Sequence, residues 1–486
     1  MKNISRRSFI QRTALTSAAL TFTARSWSLV NGANSDIRIG VIGFHGRGET
    51  HIDEFKKMKG VRITALCDVD KGVLNRGVDK LKKADLEVTP YADIRKLLEN
   101  KDIDAISIAT PNHWHALAAI WGIQAGKDVY LEKPVSHNVW EGRQIVRAAE
   151  KYKKVIVTGT QSRSSTAIAE AVDYVQKGNL GKLLRARGLC YKPRTSIGKT
   201  SGPQQVPDGV DYDLWSGPAP LIPPHRNNPR WGTVHYDWHW IWNYGNGDLG
   251  NQGIHQMDIA RWFLGEHQLS PRVFSIGGRV GYVDDGETPN SMVIYHDYKK
   301  APLIFEVRGL PEKTGSTKMD TYKGADIGVV AECENGYAVV TGNYTHATIY
   351  DKDGKEIKKF EGGTNHFANF ITAVRSRKMA DNKAPIAEGH ISSALCHTGN
   401  ISYRVGKQKN PDEIREAIKS NKDATETFNR MSDHLAANNV DLTKTKLTHG
   451  QFLKMDPKTE RFSDSEEANA LLKDKYREPF VVPDQV

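Results

Sequence analysis

The sequence of 486 residues is poor in cysteine: Cys67, Cys190, Cys333 and Cys396 stand far apart, with no Cys-x-x-Cys pair. That spacing excludes a zinc ribbon or a dithiol redox motif and leaves four small buried thiols. The net charge is +11, but no block of five or six like charges occurs, so the excess points weakly to an anionic partner and not to nucleic acid. Five of those charges (Lys2, Arg6, Arg7, Arg12 and Arg25) fall in the first 35 residues, which contain no acid. Long apolar runs are missing too. The most apolar-looking early stretch, 13–24, is too short and too polar for an ordinary membrane-spanning helix, so no membrane partner is expected. Repeats and low-complexity blocks are absent. What remains, 38% hydrophobic and 26% charged, is the composition of a globular protein long enough for two domains.

Ser5-Arg6-Arg7-Ser8-Phe9-Ile10 precedes the weakly apolar stretch. Paired arginines in that setting read as a twin-arginine export signal, which puts 1–35 outside the fold and the protein in the periplasm. That route carries folded proteins and suits an enzyme that binds its cofactor before export. Free cofactor is scarce outside the cytoplasm, so it should stay bound.

From residue 36 to about 160, short apolar runs (37–42, 61–66, 105–109, 128–131, 155–157) alternate with stretches of helical periodicity. This is the signature of an α/β doubly wound parallel sheet with right-handed crossovers. The first strand ends in Gly43-Phe44-His45-Gly46-Arg47-Gly48, a dinucleotide fingerprint with His45 at its middle glycine. Glycines there let the backbone approach a pyrophosphate seated on the next helix's N-terminus. Asp68, 25 residues after Gly43, ends the second strand. An acid at that point binds ribose hydroxyls and disfavours a 2′-phosphate, so the expected cofactor is NAD.

Three further segments carry a resemblance: Ala109-Thr110-Pro111-Asn112-His113-Trp114-His115, Leu131-Glu132-Lys133-Pro134, and Gly250-Asn251-Gln252-Gly253-Ile254-His255-Gln256-Met257-Asp258. With the glycine turn they resemble the Gfo/Idh/MocA oxidoreductases over residues 36–407, a family acting mostly on sugars and cyclitols with NAD or NADP. The resemblance implies that Thr110, Pro111, Asn112 and His115 line the nicotinamide side, with Arg47 and Glu132 among the cofactor contacts. It makes His255 the acid/base at the substrate hydroxyl and puts Arg163 at the start of the second domain, facing substrate. Lys133 leaves the carboxyl edge of the sheet, where a lysine beside a nicotinamide cation loses basicity and can take a hydroxyl proton. His255 and Asp258 share a helix face, as does Asn251. Asn251 stands where inositol-oxidising relatives have an aspartate, and an amide cannot relay a proton.

A helix over 166–176, a strand over 183–191 and a series of strand-like runs without intervening helices from 272–283 on to 350 predict an α+β domain, 161–407, on a largely antiparallel open sheet. Residues 408–486 read as a helical wrapping extension at an oligomer contact. Between 192 and 245 lie many prolines and Trp231, His235, Tyr236, Trp238, His239, Trp240, Trp242 and Tyr244, a set suited to stacking on sugar faces. His235 and His239 lack a third ligand, so no metal is expected. Tyr191, Trp240, Tyr244, Asn251, Asp258, His255 and Arg163 are the substrate-side candidates. The leading expectation is an NAD-dependent glycoside 3-dehydrogenase, with Lys133 and His255 catalytic. A glycosidase that oxidises C3 transiently, eliminates the aglycone and reduces C3 again fits the same motifs. It needs a base for the C2 proton, with Tyr191, His239 and Tyr244 as candidates. A non-catalytic sugar or cofactor sensor is the third class.

Overall fold

The computed structural model describes residues 36–363 and 365–486, so the export segment read at 1–35 lies outside the described residues. The chain opens with β1 (Ile37–Ile42) and α1 (Arg47–Phe55). Then come β2 (Val61–Cys67), α2 (Lys71–Lys82), β3 (Thr89–Tyr91), α3 (Ile94–Glu99), β4 (Ala105–Ile108) and α4 (Asn112–Gln124). β5 (Asp128–Leu131), α5 (Val139–Tyr152) and β6 (Ile156–Thr158) complete the first domain. All six strands pair in parallel in the order β3-β2-β1-β4-β5-β6. β4 and β5 are buried along their whole length because helices cover both faces of the sheet. Strand order reverses between β1 and β4, and such sheets bind ligands at the carboxyl edge beside that reversal. The unanticipated β3 is three residues long, exposed, and contains Pro90, which suits an edge and leaves no apolar run to read.

The second domain begins with α6 (Thr166–Gln176) and β7 (Leu183–Tyr191), both with the boundaries the sequence predicts. A long loop carrying α7 (Tyr212–Ser216) leads to α8 (Gly247–Asn251) and α9 (Gly253–Leu264). Next are β8 (Arg272–Gly278), β9 (Ser291–His296), β10 (Leu303–Arg308), β11 (Ile327–Cys333), β12 (Gly336–Thr341), β13 (His346–Asp351) and β14 (Glu356–Glu361). α10 (His366–Ser376) and α11 (Ile386–Arg404) follow. Every pair in the large sheet is antiparallel except β7 with β10. One face packs on α9 through Cys190, Ile254, Met257 and Phe263. α10 returns to the first domain, where Phe367 stacks on Tyr130 at 4.9 Å.

β14 escapes sequence reading because it is a charged, exposed edge strand. The strand expected over 272–283 stops at Gly278, and Arg279 then folds onto Asp284 at 2.6 Å. The extension differs most from expectation, because it is not simply helical. After β15 (Lys407–Lys409), α12 (Pro411–Ile418) and α13 (Lys422–Ala437) cover the sheet's other face with Ile414, Phe428 and Leu435. β16 (Leu447–His449), β17 (Leu453–Asp456), β18 (Arg461–Phe462) and α14 (Glu466–Ala470) follow, and β16 and β17 both pair with β8. Strands of two to four residues carry too little alternation to be read. Among the described residues, no helix is long and apolar enough to cross a membrane.

Candidate active site

A cavity of about 420 Å³ opens at the carboxyl edge of the parallel sheet, beside the β1–β4 reversal. Its floor is the β1–α1 turn. Gly46 has φ +91°, and a side chain there would meet nothing, so the floor is open. Gly48 lies so close to the Gly43 carbonyl that only glycine fits, which packs helix against strand. No side chain caps the start of α1, leaving its first N–H groups free for an anion. At the end of β2, Asp68 accepts hydrogen bonds from the Phe44 and Asp70 N–H groups at 3.1 and 3.0 Å, and burial raises its carboxyl to about 6. Thr110, Pro111 and Asn112 form a wall, where the Thr110 hydroxyl is buried with no partner among the described residues. An open glycine floor, an uncapped helix start, an acid after β2 and an orphan hydroxyl together fit NAD.

His115 ties that wall together, its ring nitrogens 2.6 and 2.8 Å from the Pro134 and Thr110 carbonyls. The Lys133–Pro134 bond is cis. Glu132 is buried and fully engaged: Arg47 and Gln161 donate to it at 2.9 and 3.2 Å, and the His51 ring nitrogen lies 3.1 Å away. Burial would raise this carboxyl, but Arg47 and His51 hold it well below the usual range. Glu132 and Arg47 thus line the cavity as a locked pair that fixes the chain just before Lys133.

The Lys133 Nζ donates to the backbone carbonyl of Asn251 at 3.0 Å and to its Oδ1 at 3.3 Å. Burial, opposed by Glu132 and helped by Arg47, Lys192 and Arg194, lowers the amine to about 8. His255 lies in the first turn of α9, beside the cavity rather than in its wall. Its Nδ1 is buried without a partner among the described residues, and burial followed by the Lys133 charge drops the ring to about 3. His255 is therefore a neutral imidazole next to an ammonium.

The aromatic loop forms the roof. The His235 Nε2 lies 2.9 Å from Asp70 Oδ2, and the His45 and His235 rings are 4.1 Å apart, with Trp231 at 6.0 Å from His45. Main-chain bonds from Lys71 to Gly209 and from Asp211 to Val69 fasten the loop at its root. The loop therefore closes over the Asp68–Asp70 end of the groove as well as the Lys133 end.

Four substrate-side candidates sit elsewhere. The Tyr191 hydroxyl points to the opposite face of β7 and donates to Glu306 at 2.7 Å. Arg163 and Asp258 are occupied by each other at 2.7 and 2.8 Å, with the Arg163 guanidinium stacked on Trp262. Tyr244 is packed against Trp215 and His113 beneath the loop. A fifth, Trp240, is buried under Arg194, which stacks on it at 4.8 Å. Asn251 does line the cavity. Sequence reasoning missed Asp70, Lys192, Trp215 and Gln252, which also line it. Of these, only Asp70, two residues past Asp68, carries a readable signal: it caps α2.

Two family models match the chain. One, described as an oxidoreductase family with an NAD-binding Rossmann fold, covers residues 37–160. The other, the C-terminal alpha/beta domain of an oxidoreductase family, covers 166–300. Over 153 residues the chain is 33% identical to a glycosyl hydrolase family 109 protein of Shewanella baltica and to an alpha-N-acetylgalactosaminidase of Shewanella oneidensis. Those matches take in 30% of this chain and 33% of either relative, so the chain spans about a third of the length of these curated relatives. Among solved structures, the WlbA dehydrogenase of Bordetella pertussis, crystallised with NADH and UDP-GlcNAcA, aligns with TM-score 0.54 at 18% identity, covering 74% of this chain and 94% of that one. An oxidoreductase domain protein of Kribbella flavida aligns with TM-score 0.55 at 18% identity, over 75% and 96%. Both are likenesses of fold.

Proposed function

The chain belongs to the Gfo/Idh/MocA oxidoreductase family and carries its NAD-binding Rossmann domain, and we propose that it oxidises a ring carbinol, C3 by family habit, of a sugar or glycoside. The observation that carries this reading is Lys133, a half-buried amine in the cavity wall, lowered to about 8 and facing an amide and a carbonyl rather than a carboxylate. When bound, NAD supplies the hydride acceptor. Lys133 takes the hydroxyl proton as C3 becomes a carbonyl and steadies the developing oxyanion. His255, neutral and adjacent, relays that proton onward. Asn251 cannot relay one and serves to aim Lys133. The arginine pair of the first ten residues supports export to the periplasm, and the 408–486 extension, read as an oligomer contact, is what a homo-oligomer would rest on.

A second reading is a glycosidase that oxidises C3, eliminates the aglycone, adds water and reduces C3 again, leaving NAD unchanged overall. The roof favours it: a loop fastened over the adenosine end by His235, Gly209 and Asp211 suits a cofactor kept through many turnovers. The names of the Shewanella relatives favour it as well. The test uses leaderless protein purified without added cofactor. Reduced-nicotinamide absorbance is followed while glucosides, galactosides and N-acetylhexosaminides are added. A lasting band with a ketosugar product supports the dehydrogenase and overturns the closed cycle. Released sugar without a lasting band supports the closed cycle. Neither signal with any glycoside overturns both.

A further inference from the structure

Within the closed-cycle reading, and resting on it, we propose that His239 is the catalytic base that removes the C2 proton. The sequence offers Tyr191, His239 and Tyr244 for this role. The first lies on the far side of β7 and the second tyrosine is packed beneath the loop, whereas His239 lines the same cavity as Lys133 and Asn251.

Three constraints aim the ring. Its Nδ1 bonds the Tyr236 carbonyl. A carbonyl only accepts, so Nδ1 carries the hydrogen and Nε2 keeps its lone pair. Among the described residues nothing bonds Nε2. The Trp238 ring stacks on the imidazole at 3.7 Å and 19°. Behind it, Gly245 lies so near the His239 backbone that a Cβ would come within 2.6 Å, so the helical turn holding His239 is pressed against residue 245.

The carbonyl that fixes the tautomer is itself held in a costly conformation. Tyr236 has φ 58° and ψ −58°, and Asp237 N–H bonds the His235 carbonyl at 2.8 Å, which together make a γ-turn of the rare hand. A bulky residue in that conformation is strained and persists only where its surroundings over-determine it. Here those surroundings are the Trp231 ring, stacked on Tyr236 at 5.1 Å, and Arg194, which donates to the Tyr236 hydroxyl at 3.0 Å. The strain is spent at the residue that orients His239.

The chemistry closes. With C3 at the ketone level, Nε2 takes the C2 proton and the C–H pair becomes the C2–C3 double bond of an enolate, whose oxygen faces the Lys133 ammonium. The pair shifts to C1–C2 as the bond from C1 to the aglycone oxygen breaks. Water protonates the departing oxygen, the hydroxide so formed adds to C1, and the imidazolium returns a proton to C2. The ketone is then reduced by the same NAD molecule that was reduced when it formed. Burial, opposed by the Tyr236 carbonyl and helped by Lys133, Arg194 and Lys192, holds His239 at about 3, so it stays unprotonated at neutral pH. Weak bases suffice for such protons where the enolate oxygen is stabilised, as an aspartate does in ketosteroid isomerase.

The experiment follows 4-nitrophenyl N-acetyl-α-galactosaminide and 4-nitrophenyl glucosides in D₂O with three readouts: NAD reduction in a single turnover, deuterium at C2 by NMR, and nitrophenol release. The wild type is expected to give all three. His239→Gln should keep NAD reduction within about threefold, which also shows that it is folded, and lose C2 exchange and release by about 10²–10⁴-fold. Exchange that persists in His239→Gln overturns the proposal, as does NAD reduction that falls in parallel, or exchange lost in Tyr236→Phe instead. If the glutamine variant does not fold, His239→Ala with added imidazole decides: restored exchange supports the proposal, and intact NAD reduction without rescue overturns it. Wild-type protein that reduces NAD yet neither exchanges nor releases sinks the closed-cycle reading itself, and that outcome is distinct from a base wrongly assigned.

Discussion

The two sides of β7 hold buried charge in opposite ways. On the Tyr191 side, Arg187 and Arg430 donate to Glu306 at 2.7 and 2.6 Å, Arg308 at 3.3 Å, and the Tyr191 hydroxyl at 2.7 Å. Burial would raise Glu306, but the three arginines bring it to about 2. On the cavity side, Lys133 has only an amide and a carbonyl for partners, because its neighbour Glu132 is taken by Arg47 and His51. A buried charge with its complement is architecture. One deprived of a complement can exchange a proton with whatever enters.

Lys133→Met tests the contrast most severely. The variant should fold, and single-turnover NAD reduction by a glycoside substrate should fall by about 10³–10⁴-fold, the upper range for losing a general base. A loss under tenfold would make Lys133 another structural cation. On the other side, Glu306→Gln strands two buried arginines and a half-buried third, and should cost about 3–5 kcal/mol in urea unfolding, with the hydride step changed less than about twofold in the folded fraction. A large kinetic effect with normal stability would erase the distinction. The third test is pH. Lys133 must be unprotonated to accept the hydroxyl proton, so the oxidation rate should climb about tenfold per unit below its value of about 8 and level off above it. A profile flat from pH 6 to 9 would detach the amine from the chemistry. The smallest effect concerns the roof. His235→Ala removes the bond to Asp70 and should speed NADH dissociation about fivefold, near 1 kcal/mol, read by stopped-flow fluorescence.

The comparison also explains what the sequence could carry. Gly43, Gly46, Asp68, Thr110, Lys133 and Asn251 sit within short motifs whose spacing follows from one turn or one strand end, so their convergence on one cavity was legible. Tyr191 was not, because β7 is buried on both faces over most of its length and alternation cannot say which parity meets α9. Arg163 and Asp258 have the residue types of a substrate clamp, but their mutual ion pair spans 95 positions and exists only in the folded chain. Likewise, the aromatic loop has no period to place its rings. Its composition suggested sugar stacking, whereas His45, an apparent flaw in the glycine fingerprint, turns out to face His235 across the groove.

Pairing of β16 and β17 with β8 carries a consequence for biosynthesis. β8 ends at residue 278, and its strand partners on that side arrive at 447–456. During synthesis the ribosome must add roughly 170 residues before that edge is covered, and at 5–20 residues per second the wait is on the order of ten seconds or more. For that interval a nascent chain presents an open strand edge, the feature most prone to pairing with a neighbour. A ribosome stalled before residue 447 is therefore expected to release a product prone to aggregate, because β16 and β17 are what cover that edge of β8.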